Sequence, residues 1–143
     1  MNSELTEAQR QRVERALDMV AFARLLGIKF ESAEPGHAVL TLPIREVHKQ
    51  NHGVVHGGAI ASLIDSAMAF AIIPLLAEKE HTTTVDLTIH YLRPLTEGVA
   101  KSSARVVRAG RRVITVSAEV FDHKDRLVAT ALSTYLRLTP DTD

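Results

Sequence analysis

The 143-residue chain has no cysteine, which excludes disulfides, thiolate zinc sites and thiol catalysis and leaves the redox compartment open on that ground. An excess of either charge is missing too. Lysine plus arginine equal aspartate plus glutamate at 17 each, so electrostatics give no case for a nucleic-acid partner or an anionic membrane surface. Repeats, low-complexity tracts and long linkers are absent from the sequence, and 45% hydrophobic content suffices for a sizeable core, so residues 1–143 are expected to form one domain. The opening Met1-Asn2-Ser3-Glu4-Leu5-Thr6-Glu7 lacks the basic start and apolar run of a secretion signal, which makes the cytoplasm the default location.

What the chain does have is a single long apolar run. From Gly57 to Leu76 nearly every residue is Ala, Ile, Leu, Met or Phe, which predicts a helix over residues 57–76 with little polar face, buried rather than laid on a surface. Residues 59–77 approach the length that spans a bilayer, but Asp65 lies where a charge is most expensive, Ser62, Ser66 and Pro74 dilute the run, and amphipathic strands follow it. A central helix wrapped by a sheet fits the same composition better. Asp65 is expected to be buried with the helix. A lone carboxylate in apolar surroundings is costly, so it needs hydrogen bonds, a charge partner or a chemical use.

The entrance to this helix is the second signal. His56-Gly57-Gly58 leaves two successive positions without side chains. Unobstructed amides at a helix start can bind a carbonyl oxygen or an oxyanion. Together with a carboxylate acting as base or nucleophile, such a donor supplies what hydrolysis of an activated acyl group requires.

The remaining pattern is mostly strands. Thr6 is the N-cap of a helix over residues 6–26 with Val13, Leu17, Val20 and Leu25 as its apolar stripe and Gly27 as its stop. Strands follow at 28–33 and 37–42 across a Pro35-Gly36 turn, then a loop at 45–55. Beyond the central helix come strands at 82–92, 99–107, 112–121 and 127–138. The first of these alternates, with Val85, Leu87, Ile89 and Tyr91 on one face and Thr84, Asp86, Thr88 and His90 on the other. Tight turns between strands and one long apolar helix make the fold class α+β, with an antiparallel sheet.

This order of elements, with Gly53-Val54-Val55-His56-Gly57-Gly58 opening the helix and Asp65 nine residues after His56, resembles the hotdog-fold acyl-CoA thioesterases of the PaaI-like family over roughly residues 25–138. The resemblance implies an antiparallel sheet wrapped around the central helix, and hydrolysis of an acyl-CoA thioester to the acid and free coenzyme A. It implies that Asp65 is base or nucleophile, that the Gly57 amide polarises the carbonyl, and that Thr84 orients water. Gln50, six residues before His56, would hold the carbonyl or the water, with Asn51 beside it. In this family Gln at that place is commoner in relatives that use Glu rather than Asp, so the chain combines two patterns. Coenzyme A would enter as part of the substrate, with no separate cofactor and no metal, and the assembly would be a homodimer or a dimer of dimers.

Structural readings stand beside these. Asp65 could cap backbone or pair with His56 or an arginine, and His56 could orient the turn rather than touch substrate. Thr is ordinary in a β-rich segment. His48, His52 and His56 fall four residues apart, as metal ligands on a helix would, yet Gly53, Gly57, Gly58 and Val54-Val55 argue against a helix there. Gly58 offers a second amide to substrate. Arg93, Arg108, Arg111 and Arg112 are available for coenzyme A phosphates, although arginines near strand ends are also common solvated surface. Ile60, Ile64, Met68 and Thr82 would set the depth of an acyl pocket. A non-catalytic acyl-CoA sensor on the same fold is the rival from another class; against it, the chain keeps an aspartate that a binder does not need. A hotdog dehydratase is a further rival, but the helix shows no His–Asp or His–Glu pair suited to that chemistry.

Helix geometry adds a constraint on the assembly. Gly57 and Asp65 are eight residues apart, so in one helix they lie roughly 12 Å apart along its axis, beyond the reach of one thioester. Two antiparallel central helices in a two-fold dimer would place Gly57 of one copy opposite Asp65 of the other.

Overall fold

The computed structural model describes residues 4–140. The first three residues of the stretch that lacks a secretion signal, and the last three of the domain span, lie outside the described residues.

Helix α1 spans Glu7–Met19 and starts in a reciprocal cap, with Thr6 Oγ1 accepting from the Gln9 amide at 3.2 Å and Gln9 Oε1 accepting from the Thr6 amide at 2.8 Å. The continuous helix expected to residue 26 does not form. Val20 turns extended (φ −88°, ψ 97°), and a separate helix α2, Ala21–Leu26, ends at Gly27 in the left-handed region (φ +84°). The break redirects the apolar stripe. Val13 and Leu17 are buried as expected, but Val20 and Leu25 are exposed and Ala23 is buried in their place.

Six strands form one antiparallel sheet in the order β1-β2-β4-β5-β6-β3. They are β1 Lys29–Glu34, β2 His37–Pro43, β3 His81–Tyr91, β4 Val99–Ala109, β5 Val113–Phe121 and β6 Leu127–Leu138. The turn between β1 and β2 falls at Pro35-Gly36, where Gly36 takes φ +81°, a conformation that favours glycine. Alternation sets the inner face: Ala38, Leu40 and Leu42 on β2, Ala100 and Ala104 on β4, and Ile114, Val116, Ala118 and Val120 on β5 are all buried.

Against this face packs α3, Gly57–Ile72, continued by a 3₁₀ turn at Ile73–Leu75. Pro74 lies inside that turn, and its missing amide accounts for the α-helix stopping short of residue 76. By length and composition the segment Gly57–Leu75 could cross a membrane, but half of it is buried inside the domain, packed on β2, β4 and β5. Leu63, Ile64, Ala67, Met68, Ala71 and Ile72 are buried. Burying each large aliphatic of this set stabilises the fold by about 2 kcal/mol. The helix is not enclosed all round, as its composition suggested. Ala61, Ser62, Asp65, Ser66 and Ala69 form a narrow face that the sheet does not cover.

Strand β3 is an edge of the sheet and carries a bulge between Thr84 and Asp86. The bulge breaks the alternation predicted for this strand. Leu87, Ile89 and Tyr91 pair with Ser133, Ala131 and Ala129, whereas on the other side of the bulge it is Thr84 that pairs with Tyr135. All four partners lie at alternate positions of β6, on its inner face. The extra residue, Val85, thereby turns Thr84 toward α3 instead of leaving it beside Asp86 and Thr88.

Candidate active site

The loop leading into α3 is held by a network of hydrogen bonds. Glu46–His48 forms a 3₁₀ turn, and the buried His48 accepts from the Arg45 amide at Nδ1 (2.9 Å) and donates from Nε2 to the Leu26 carbonyl (2.6 Å). Both ring nitrogens of His48 are therefore occupied, which takes it out of the row of three histidines; among the described residues no cluster of potential metal ligands forms. The His56 amide donates to the His48 carbonyl (2.8 Å) and the Val55 amide to Leu95 (2.8 Å). A tight turn closes between Gln50 and Val54, with Gly53 at φ +76°.

His56 is the N-cap of α3, its Nδ1 accepting from the Gly58 amide at 2.8 Å. This cap decides which amide stays open. Gly58, read as a second substrate contact, has its N–H engaged by His56, while the Gly57 N–H has no acceptor among the described residues. Both glycines are also closely packed. A β-carbon on Gly57 would sit 3.2 Å from the end of the Tyr91 ring, and one on Gly58 would sit 2.9 Å from His56 Nδ1. The Tyr91 hydroxyl donates to the Gly57 carbonyl at 2.8 Å. Beside Gly57 opens a cavity of about 370 Å³ that includes Ile60, Tyr91, Arg93 and Leu95 in its wall but not Asp65.

Asp65 lies two turns further along α3 and is half-buried, on the face the sheet leaves open. Its Oδ1 accepts from Thr84 Oγ1 at 3.0 Å and from the Tyr135 hydroxyl at 2.6 Å. The same hydroxyl lies 3.0 Å from the Asp65 carbonyl oxygen. Tyr135 is 2% exposed, and this burial, with the bond to Asp65, pushes its phenol well above the ordinary tyrosine range. Sequence reading missed Tyr135. The usable signal was register: on β6, Ala129, Ala131, Ser133 and Tyr135 share the face turned to α3, so the hydroxyl of a tyrosine there must find a partner on the helix.

The remaining residues scatter. Gln50 and Asn51 are exposed on the loop, with Gln50 Oε1 accepting from the His52 amide at 3.3 Å, and neither bonds Asp65. Arg93 joins the cavity at Gly57, whereas Arg111 and Arg112 border another cavity of about 520 Å³ with Glu80 and Arg137. Arg108 is exposed on β4. Of the residues read as pocket-forming, Ile64 and Met68 are fully buried in the core, Ile60 reaches the cavity at Gly57, and Thr82 borders a third cavity with Ala69 and Ile73.

Residues 52–129 match the thioesterase superfamily, more than half of the chain. A putative esterase of Saccharolobus solfataricus is 32% identical over 78% of this chain and 73% of its own. The medium/long-chain acyl-CoA thioesterase YigI of Salmonella typhimurium is 26% identical over 80% of this chain and 84% of its own. Among solved structures, the PaaI protein from the phenylacetic acid degradation operon of E. coli is 26% identical and superposes with a TM-score of 0.85, covering 94% of this chain and 96% of that one. A thioesterase family protein from Silicibacter pomeroyi, 25% identical, gives a TM-score of 0.88 over 92% of this chain and 99% of that one. The chain belongs to the thioesterase superfamily, with the hotdog fold and the thioester-hydrolysing chemistry of that superfamily.

Proposed function

We propose that the protein hydrolyses acyl-CoA thioesters, with the Gly57 amide as oxyanion donor and Asp65 as base or nucleophile, in a site completed by two subunits. The observation that carries this reading is the pair of groups on α3: an amide left open by the His56 cap, and a carboxylate held by Thr84 and Tyr135 on the uncovered face. The amide would stabilise negative charge on the carbonyl oxygen. The carboxylate would either take a proton from the attacking water, or attack the carbonyl carbon itself and expel the CoA thiolate, leaving a mixed anhydride that water then opens. Gln50 and Asn51, on the loop just before the amide, would hold the carbonyl or the water, and Thr84 would support the attacking group. Arg93, which shares the cavity with Gly57, would meet a CoA phosphate, with Arg108 and Arg111 as further contacts. Relatives named as acyl-CoA thioesterases support the choice of thioester.

The case for two subunits rests on distance. Both groups lie in one α-helix, eight residues and roughly 12 Å apart, and the cavity beside Gly57 does not reach Asp65. The uncovered face of α3 is small-sided, which suits close approach of a second helix, and β3 leaves one edge of the sheet unpaired. An antiparallel α3 from a second copy would set its Gly57 opposite Asp65.

Free-thiol release measured over short, medium, long and aromatic acyl-CoAs tests the reading. Release from at least one class, lost in Asp65→Asn, is expected. Folded protein that binds acyl-CoA tightly but releases no thiol from any of them would point instead to a sensor.

A further inference from the structure

Asp65 is bonded asymmetrically. Two hydroxyls converge on Oδ1, one from β3 and one from β6, and Oδ2 has no hydrogen-bond partner among the described residues. The convergence is built into the sheet, because Thr84 and Tyr135 face each other across the β3–β6 ladder at the point where the bulge turns Thr84 inward. Of the two donors Tyr135 is the fixed one: its ring is buried in the core and its hydroxyl is the closer, 2.6 Å against 3.0 Å. Thr84 is exposed.

We propose that Tyr135 is a positioning residue for hydrolysis: by anchoring Oδ1 it fixes the carboxylate rotamer and leaves Oδ2 as the oxygen that meets water or the thioester carbon. This rests on the reading of Asp65 as the reacting group. A carboxylate locked at one oxygen presents the other in a single direction. Other charged groups nearby are engaged elsewhere. Asp86 accepts from the Thr134 amide at 2.8 Å, and the Arg137 guanidinium is held on Glu80 at 2.8 Å.

Tyr135→Phe tests this, since it removes the hydroxyl and keeps the buried ring. The readout is the split of kcat against KM, with circular dichroism as the check on the fold. kcat is expected to fall about tenfold or more while KM stays nearly unchanged, because the carboxylate loses its fixed direction and the substrate loses no contact. Thr84→Val removes the second donor to Oδ1, on an exposed side chain, and keeps the proposal testable if Tyr135→Phe does not fold: it too should lower kcat with KM unchanged. A loss that appears in KM alone, or a kcat that withstands removal of the Oδ1 donors, overturns the proposal.

Discussion

Asp65→Asn preserves volume and retains an oxygen that can accept from Tyr135 and Thr84, while removing the basic and nucleophilic oxygen. Its kcat is expected to fall at least about a hundredfold with circular dichroism and oligomeric state unchanged; near-normal turnover would remove Asp65 from the chemistry. Gly57 calls for a paired comparison. Alanine and proline both place a β-carbon about 3.2 Å from the Tyr91 ring, but only proline removes the amide. Proline is tolerated at the first position of a helix, so the kcat ratio of Gly57→Ala to Gly57→Pro isolates the donor and should be on the order of a hundredfold or more. Equal rates would mean that this amide is not the oxyanion donor. Of the candidate site, His56, Gly57 and Asp65 stand out in the chain because they sit within ten positions of one another, on one loop and one helix. Tyr135 does not: it is 70 residues from Asp65 in sequence, and a tyrosine in an alternating strand reads as an ordinary core aromatic until register is known.

At the level of elements, the long helix and the strands were legible from period and turn residues, and their ends shifted by a few residues. Two features were not legible, and both depend on pairing across the fold. The bulge at Val85 exists because Thr84 and Asp86 take consecutive partners on β6, and no local pattern marks it. The break at Val20 lies in a sequence that reads as continuous helix; what differs is that Ala23, rather than Leu25, finds a place in the core. His48 ties the end of α2 to the loop that starts α3. His48→Ala leaves the Arg45 amide without its acceptor and the Leu26 carbonyl with the Arg45 guanidinium as its remaining donor, and should lower unfolding free energy by about 1–3 kcal/mol in a urea titration, with kcat falling as the start of α3 loosens. Unchanged stability and kcat would show that this tie does not position the helix.

The β5–β6 hairpin supplies a pH-dependent counterpart. Burial alone would raise the Asp122 pKa, but the amides of Arg126 and Lys124 at 2.9 Å and the Arg126 guanidinium at 2.8 Å outweigh it and hold the carboxyl below its usual range. Because the folded-state pKa lies below the unfolded one, this stabilisation is present above the unfolded value and is lost as pH falls through the folded one. Asp122→Asn should therefore be less stable than the unmodified chain at neutral pH, and the gap should narrow in acid. A gap constant from pH 7 down to pH 2, measured by chemical denaturation, would exclude the ionised carboxylate as its source.

For the whole molecule, the two groups proposed for the chemistry lie on one helix yet too far apart to meet on one substrate, and in the proposed dimer the open face of α3 and the free edge of β3 would receive the second copy. Mixing two inactive variants, Gly57→Pro and Asp65→Asn, examines this directly. In a hybrid dimer one site carries both lesions and the other is intact. With statistical exchange about half of the dimers are hybrid, so roughly a quarter of the unmodified activity should return. Subunit exchange demonstrated by labelled chains but restoring no activity would contradict a site shared between subunits.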